Sequence, residues 1–186
     1  MPADFTVVLD AGVLAPFSVC DLFLRLAEEP RLYSPRRTEA ILDEVRRTQV
    51  GNLGWPEDLA DYWRQEVTAS FPEAFVTGHE PLVAECQCHP DDRHVLAAAL
   101  KAPADTIVTF NLRHFLADAL EPHQIVAHHP ADYLCALYER DPGVVTSRID
   151  EIAANRSLEP VEVLRRLRGP LRRFTEHVAD RQGWTL

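Results

Sequence analysis

The stretch Phe5-Thr6-Val7-Val8-Leu9 leans apolar, is rich in β-branched residues and closes on Asp10. That pattern predicts a strand buried on both faces, as in a parallel sheet. Helical spacing follows. Residues 16–28 predict a helix with Pro16 at its start and Phe17, Leu22, Phe23, Leu24 and Leu26 inside. Ser34 reads as an N-cap and Pro35 as the first-turn proline of a second helix, with Ile41, Leu42 and Val45 giving the repeat. After a turn over 51–56, residues 57–69 predict a third helix carrying Leu59, Tyr62, Trp63 and Val67.

Short apolar strands then alternate with helices. Strands are expected at 75–77, 105–109 and 124–126, and helices from Asp92 to Leu100, from Leu116 to Leu120 and over 130–139. This alternation signals a parallel sheet wrapped by helices. Past Asp141-Pro142 the pattern changes to helices alone, over 143–154, 160–168 and 170–182, with Gly169-Pro170 breaking the last two. The chain therefore divides into an α/β domain over 1–139 and a small all-helical C-terminal extension over 140–186.

Composition supports a folded chain of ordinary size: 186 residues with 46% hydrophobic content suffice for one full core. Met1 to Asp4 show no basic, apolar leader, and no run reaches membrane-spanning length. Cys20, Cys86, Cys88 and Cys135 lack the spacing of a disulfide scaffold, so a cytoplasmic location is expected. The net charge of −10 is unevenly spread: residues 1–139 hold 10 Lys+Arg against 22 Asp+Glu, and 140–186 hold 9 against 7. An acidic main domain is a poor phosphate-gripping surface, and such charge most often marks a solvated surface.

A carboxylate at the carboxyl end of a buried strand stands where open α/β sheets place ligands, and it must be solvated, paired or metal-bound. Asp10 is such a group. Glu44 lies at the edge of the apolar face of the second helix, Asp92 follows Pro90 at a helix start, and Asn111 follows Thr109 at a strand exit. In a parallel sheet these can share one rim. Hard oxygen donors of this kind suit Mg²⁺ or Mn²⁺, and phosphodiester hydrolysis is the reaction that uses an all-acid site. Each member also has a plainer explanation. Asp92 serves as an N-cap worth ~1 kcal/mol; Glu44 pairs with Arg47 or Arg37 for only ~0.3 kcal/mol; Asn111 stabilises a turn.

Other motifs carry less. Cys86-x-Cys88-His89 lacks a fourth ligand at zinc spacing, and His123 and His128-His129 fall in an expected loop. With seven glycines there is no phosphate-binding glycine loop. Trp55, Trp63 and Trp184 read as packing residues. Arg165, Arg166, Arg168, Arg172 and Arg173 form the dense basic cluster, suited either to RNA phosphate or to pairing with Glu159, Glu162 and Glu176.

Four motifs together resemble the PIN domain, the metal-dependent ribonuclease fold of VapC-type toxins. They are Val8-Leu9-Asp10-Ala11 with Val13-Leu14; Glu39-x-x-Leu42-x-Glu44-Val45; Pro90-Asp91-Asp92-Arg93-His94-Val95-Leu96; and Ile107-Val108-Thr109-Phe110-Asn111-Leu112-Arg113-His114. The resemblance spans residues 5–139, and the helical tail is similar to the extension of one subgroup of these toxins. It implies a three-layer α/β/α sandwich and an Mg²⁺- or Mn²⁺-dependent endoribonuclease with Asp10, Glu44 and Asp92 as catalytic and metal-binding residues. Asp91 shares or replaces the role of Asp92. Substrate contacts fall to Thr109, Asn111, Arg165, Arg166 and Arg172. The implied partners are RNA, a cognate antitoxin and a second copy of the chain as a homodimer. Asn111 and His114 depart from the family, which often has an acid at the end of that motif; a catalytically degraded, RNA-binding regulatory module is the alternative.

Overall fold

The computed structural model describes residues 5–186; the reading of Met1 to Asp4 as no leader lies outside the described residues. Four parallel strands form one sheet in the order β2-β1-β3-β4: β1 (Thr6–Leu9), β2 (Ser34–Arg36), β3 (Thr106–Val108) and β4 (Val126–His128). β1 is buried throughout its apolar part, with Val7 and Val8 at 0% exposure. Each such aliphatic side chain contributes about 1.5–3 kcal/mol by leaving water.

Helices cover both faces. Between β1 and β2 run α1 (Ala11–Leu14) and α2 (Phe17–Ala27); between β2 and β3 run α3 (Glu39–Gly51), α4 (Glu57–Ser70), α5 (Glu80–Val83) and α6 (Arg93–Lys101). A short α7 (Ala117–Leu120) links β3 to β4, and α8 (Pro130–Arg140), α9 (Pro142–Asn155) and α10 (Pro160–Gln182) complete the chain. α3 and α6 pack together beside the sheet, while α2, α8, α9 and α10 pack among themselves. The result is a PIN-like α/β/α sandwich with a helical C-terminal part. One continuous buried cluster runs from Val7, Val8 and Leu96 through Phe23 and Leu134 to Ile149 and Phe174. The C-terminal helices are therefore packed into the common core.

Several elements differ from the sequence reading. Ser34-Pro35-Arg36 is not a helix start but the edge strand β2, paired in parallel with Thr6, Val7 and Val8. Proline is tolerated there because an edge strand need not donate on both sides. The helix begins at Glu39 instead, where the Thr38 hydroxyl accepts from Ile41 N at 3.2 Å. Phe75 forms only an isolated bridge to Arg37. The last strand starts at Val126, two residues later than expected, because Gln124 adopts a left-handed turn (φ 58°). Residues 160–182 are continuous, with the break expected at Gly169-Pro170 reduced to a kink at Leu171 (φ −124°, ψ 37°). His128 belongs to β4 and His129 caps α8, so neither is in a loop. All four cysteines are free, Trp63 is buried, and Trp55 and Trp184 pack against the core. No helix of the described residues is long and apolar enough to cross a membrane.

Candidate functional site

In the order β2-β1-β3-β4 the chain leaves β1 to one side and later crosses back to the other. Ligand crevices open at such reversals, outside the carboxyl ends of the strands. Asp10 and Thr109 stand there side by side. Leu9 pairs with Val108, and Asp10 N donates to Val108 O at 3.1 Å.

Asp10 is 2% exposed. One carboxylate oxygen accepts from Ala11 N at 2.7 Å, capping α1, and the other accepts from the Thr109 hydroxyl at 2.6 Å. Thr109 Oγ in turn accepts from Asn111 N at 2.9 Å. The Thr109 hydroxyl thus orients Asp10; at 0% exposure it offers no surface to a substrate. Asn111 itself is exposed. Burial pushes the Asp10 carboxyl up to about 6. The nearby charges of Asp92 and Glu44 push in the same direction, against the Thr109 and Ala11 hydrogen bonds.

Glu44 projects from α3 toward α6 and meets His94, whose Nε2 lies 3.3 Å from Glu44 Oε2 without hydrogen-bond alignment. This contact replaces the expected pairing with Arg37 or Arg47. Arg37 is buried and donates to the carbonyls of Val67 (3.2 Å) and Phe71 (3.0 Å) at the end of α4. Glu44 foremost, and Asp10 more weakly, hold the His94 imidazole above its ordinary pKa despite partial burial. A cleft of about 450 Å³ opens on this side, lined by Ala40, Asp43, Glu44, Arg47, Asp91 and His94. Asp10 and Asp92 are not part of its lining.

Asp92 is 4% exposed and sits at the start of α6, but its side chain makes no cap hydrogen bond. It is directed instead to His114 Nδ1, with which it makes a short contact. The plain N-cap explanation for Asp92 is thereby removed. Asp91 is exposed, 3.8 Å from His89 Nδ1. Among the described residues, the one group of three or more His, Cys, Asp or Glu donors drawn within 4.8 Å of one another is His89, Asp92 and His114. Asp92 and Glu44 act on Asp10 through charge, but the three carboxylates do not close to that spacing. Sequence reasoning gives His94 and His114 no role of their own, because their contacts with Glu44 and Asp92 span 50 and 22 residues. The one hint for His114 is its place in a motif that often ends in an acid.

The basic cluster lies apart, on α10. Arg165 and Arg166 both approach Glu162 at 3.5 Å; Arg168 and Arg172 share Glu176 at 3.2 and 2.8 Å; Arg173 reaches Asp132 at 2.5 Å. Two of the expected acidic partners are thus engaged, each by two arginines. Exposed pairs of this kind hold their side chains only weakly.

The fold is a PIN-like α/β/α sandwich in which Asp10 and Thr109 stand at the carboxyl edge of the sheet, with the charges of Asp92 and Glu44 close enough to act on Asp10. Among curated proteins the chain is similar to one from Mycobacterium tuberculosis (strain ATCC 25618 / H37Rv) named "Putative ribonuclease VapC50". The two are 46% identical over 97 residues, covering 48% of this chain and 57% of the relative. The chain thus spans little more than half the length of the curated relative it matches. No family model matches the chain, and no solved structure matches it either.

Proposed function

We propose that this protein is a cytoplasmic, metal-dependent endoribonuclease and the toxin of a toxin–antitoxin pair, with RNA as substrate and a cognate antitoxin as partner. The observation that carries the reading is Asp10: a buried carboxylate at the strand reversal, its pKa raised by burial and by the charges of Asp92 and Glu44. Such mutual repulsion is what a divalent cation relieves. The name of the relative points to the same chemistry.

Asp10, Glu44 and Asp92 are the residues that would hold Mg²⁺ or Mn²⁺, with Asp91 as an exposed auxiliary. Mg²⁺ keeps several waters, so the carboxylates need not close around it as tightly as a zinc site would. A cation bound there supplies an activated water and neutralises charge on the phosphoryl group. Thr109 and Ala11 N fix the Asp10 carboxylate so that it does not reorient when substrate arrives. Arg47, on the wall of the cleft beside His94, gives the phosphodiester backbone a positive partner next to the acids. Asn111, which is exposed, would donate to the substrate. Arg165, Arg166 and Arg172 extend the contact by attracting phosphate beyond the acidic centre. In this reading residues 1–139 form the nuclease domain and 140–186 an extension that supports it. Incubating total RNA with purified protein, with and without EDTA, tests the proposal: cleavage abolished by EDTA supports it, and intact RNA in excess Mg²⁺ and Mn²⁺ supports a binding-only module.

A further inference from the structure

The structure assigns a second cation position to His89, Asp92 and His114, one that takes an imidazole-preferring divalent ion such as Co²⁺ or Zn²⁺ rather than Mg²⁺. It lies beyond the nuclease reading and does not depend on it.

Three features build this position. Its donors are gathered: one ligand atom from each residue lies within 4.8 Å of the others. Ligands on a tetrahedral ion at 2.0–2.1 Å stand roughly 3.3 Å apart, so small side-chain turns close the gap. The frame is fixed as well. His89 N donates to His114 O at 3.1 Å, Asp92 N donates to His89 O at 2.9 Å, and His114 N donates to Asn111 O at 2.9 Å. Buried Phe115 anchors the segment next to His114. Backbone pairing therefore brings two loops far apart in sequence to a shared register.

The donor chemistry is the third feature. Two imidazoles and one carboxylate form a mixed nitrogen–oxygen set, which suits Zn²⁺, Co²⁺ or Ni²⁺, whereas Mg²⁺ prefers oxygen alone. The His89 and His114 rings are stacked with centroids 4.1 Å apart and planes 14° apart. Stacked rings do not aim at one point, so one must turn on binding. His89 can do so: its side chain is 43% exposed, and its Nδ1 is held by a long 3.4 Å hydrogen bond from Asp91 N and a 3.8 Å approach of the Asp91 carboxylate. Asp92 is common to this position and to the acidic centre, so occupancy here draws on a carboxylate that the acidic centre also uses.

The test is titration of the full chain with Co²⁺, read by the visible absorption of the bound ion and by displacement with Zn²⁺. Losing even a partner that supports a metal ligand costs about 10- to 100-fold in affinity. His89→Gln and His114→Gln should therefore each weaken Co²⁺ binding about tenfold or more. Asp10→Asn should change it by less than about threefold, since Asp10 is not a donor here. Thermal melting of each variant shows that it is folded; His89, being exposed, is replaceable without unfolding the chain. Equal Co²⁺ affinity in wild type and the folded His89→Gln protein overturns the assignment. Loss of the Co²⁺ signal in Asp10→Asn, or no bound Co²⁺ at millimolar concentration, does so too. Absence of RNA cleavage with Co²⁺ binding intact counts against the nuclease reading alone.

Discussion

Replacing Asp10 with Asn should make the metal-free protein more stable at pH 8 and leave it almost unchanged at pH 4. Asp10 titrates at about 6 in the folded chain against 3.8 ordinarily. The folded state therefore holds its proton more tightly than the unfolded state, and stability is lost as pH rises from about 4 through about 6. A shift of about two units corresponds to roughly 3 kcal/mol of penalty once the group is ionised in both states. Asn carries no charge and escapes that penalty. It also gives up a hydrogen bond, because its single oxygen cannot accept from both Ala11 N and the Thr109 hydroxyl, at a cost of about 1 kcal/mol. The net gain at pH 8 is about 2 kcal/mol, or roughly 4–8 °C in melting temperature for a chain of this size. At pH 4 the penalty and the missing hydrogen bond nearly cancel, and the two proteins should agree within about 0.5 kcal/mol. Urea denaturation in EDTA at both pH values measures the difference, and titrating groups away from the site cancel between the two proteins. Adding Mn²⁺ should reverse the order, since a ligand at 100 times its Kd stabilises the binding-competent protein by about 2.7 kcal/mol. A difference between the two proteins that does not vary from pH 4 to pH 8 would refute the electrostatic account of the site.

Three further outcomes follow from the structure. Glu44→Gln should lower the titration midpoint of His94, because Glu44 is the foremost influence raising it; NMR of the imidazole across pH 5–9 reads this directly, and an unmoved midpoint contradicts the pairing. Phe174→Ala should destabilise the whole chain by about 3–5 kcal/mol, since Phe174 is fully buried in the common core; a single cooperative transition is expected, and an unchanged melt would separate the C-terminal helices from that core. Changing Arg165, Arg166 and Arg172 to Ala should weaken RNA binding and flatten its salt dependence by roughly one unit of slope for each phosphate no longer neutralised; unchanged affinity and slope with lower stability would assign these residues to packing instead.

What can be read from the chain, and what cannot, has a physical pattern. β1 and Asp10 are legible because a doubly buried strand must be apolar throughout, so a closing carboxylate stands out. The helices over 57–69 and 130–139 are legible from their spacing and match α4 and α8 closely. Ser34-Pro35 misleads because the same two residues that open a helix also fit an extended edge strand. Three-residue strands are chosen by pairing partners, and so β4 starts two residues later than its local pattern suggests. At the site, the carboxylates are visible by residue type, but their partners are not. Asp92 reads as a cap in sequence, but its side chain goes to His114, a residue brought beside it by the backbone bond from His89 N to His114 O. Thr109 looks like a substrate contact in sequence and is a buried support for Asp10.

The central claim is that the acidic centre cuts RNA with a divalent cation. Its most direct test is cleavage of total RNA by purified wild-type and Asp10→Asn protein in Mg²⁺ or Mn²⁺, each repeated with EDTA. The account predicts fragments from wild type alone, and none once EDTA is present. Fragments from a folded Asp10→Asn protein, or cleavage that persists in EDTA, would contradict it.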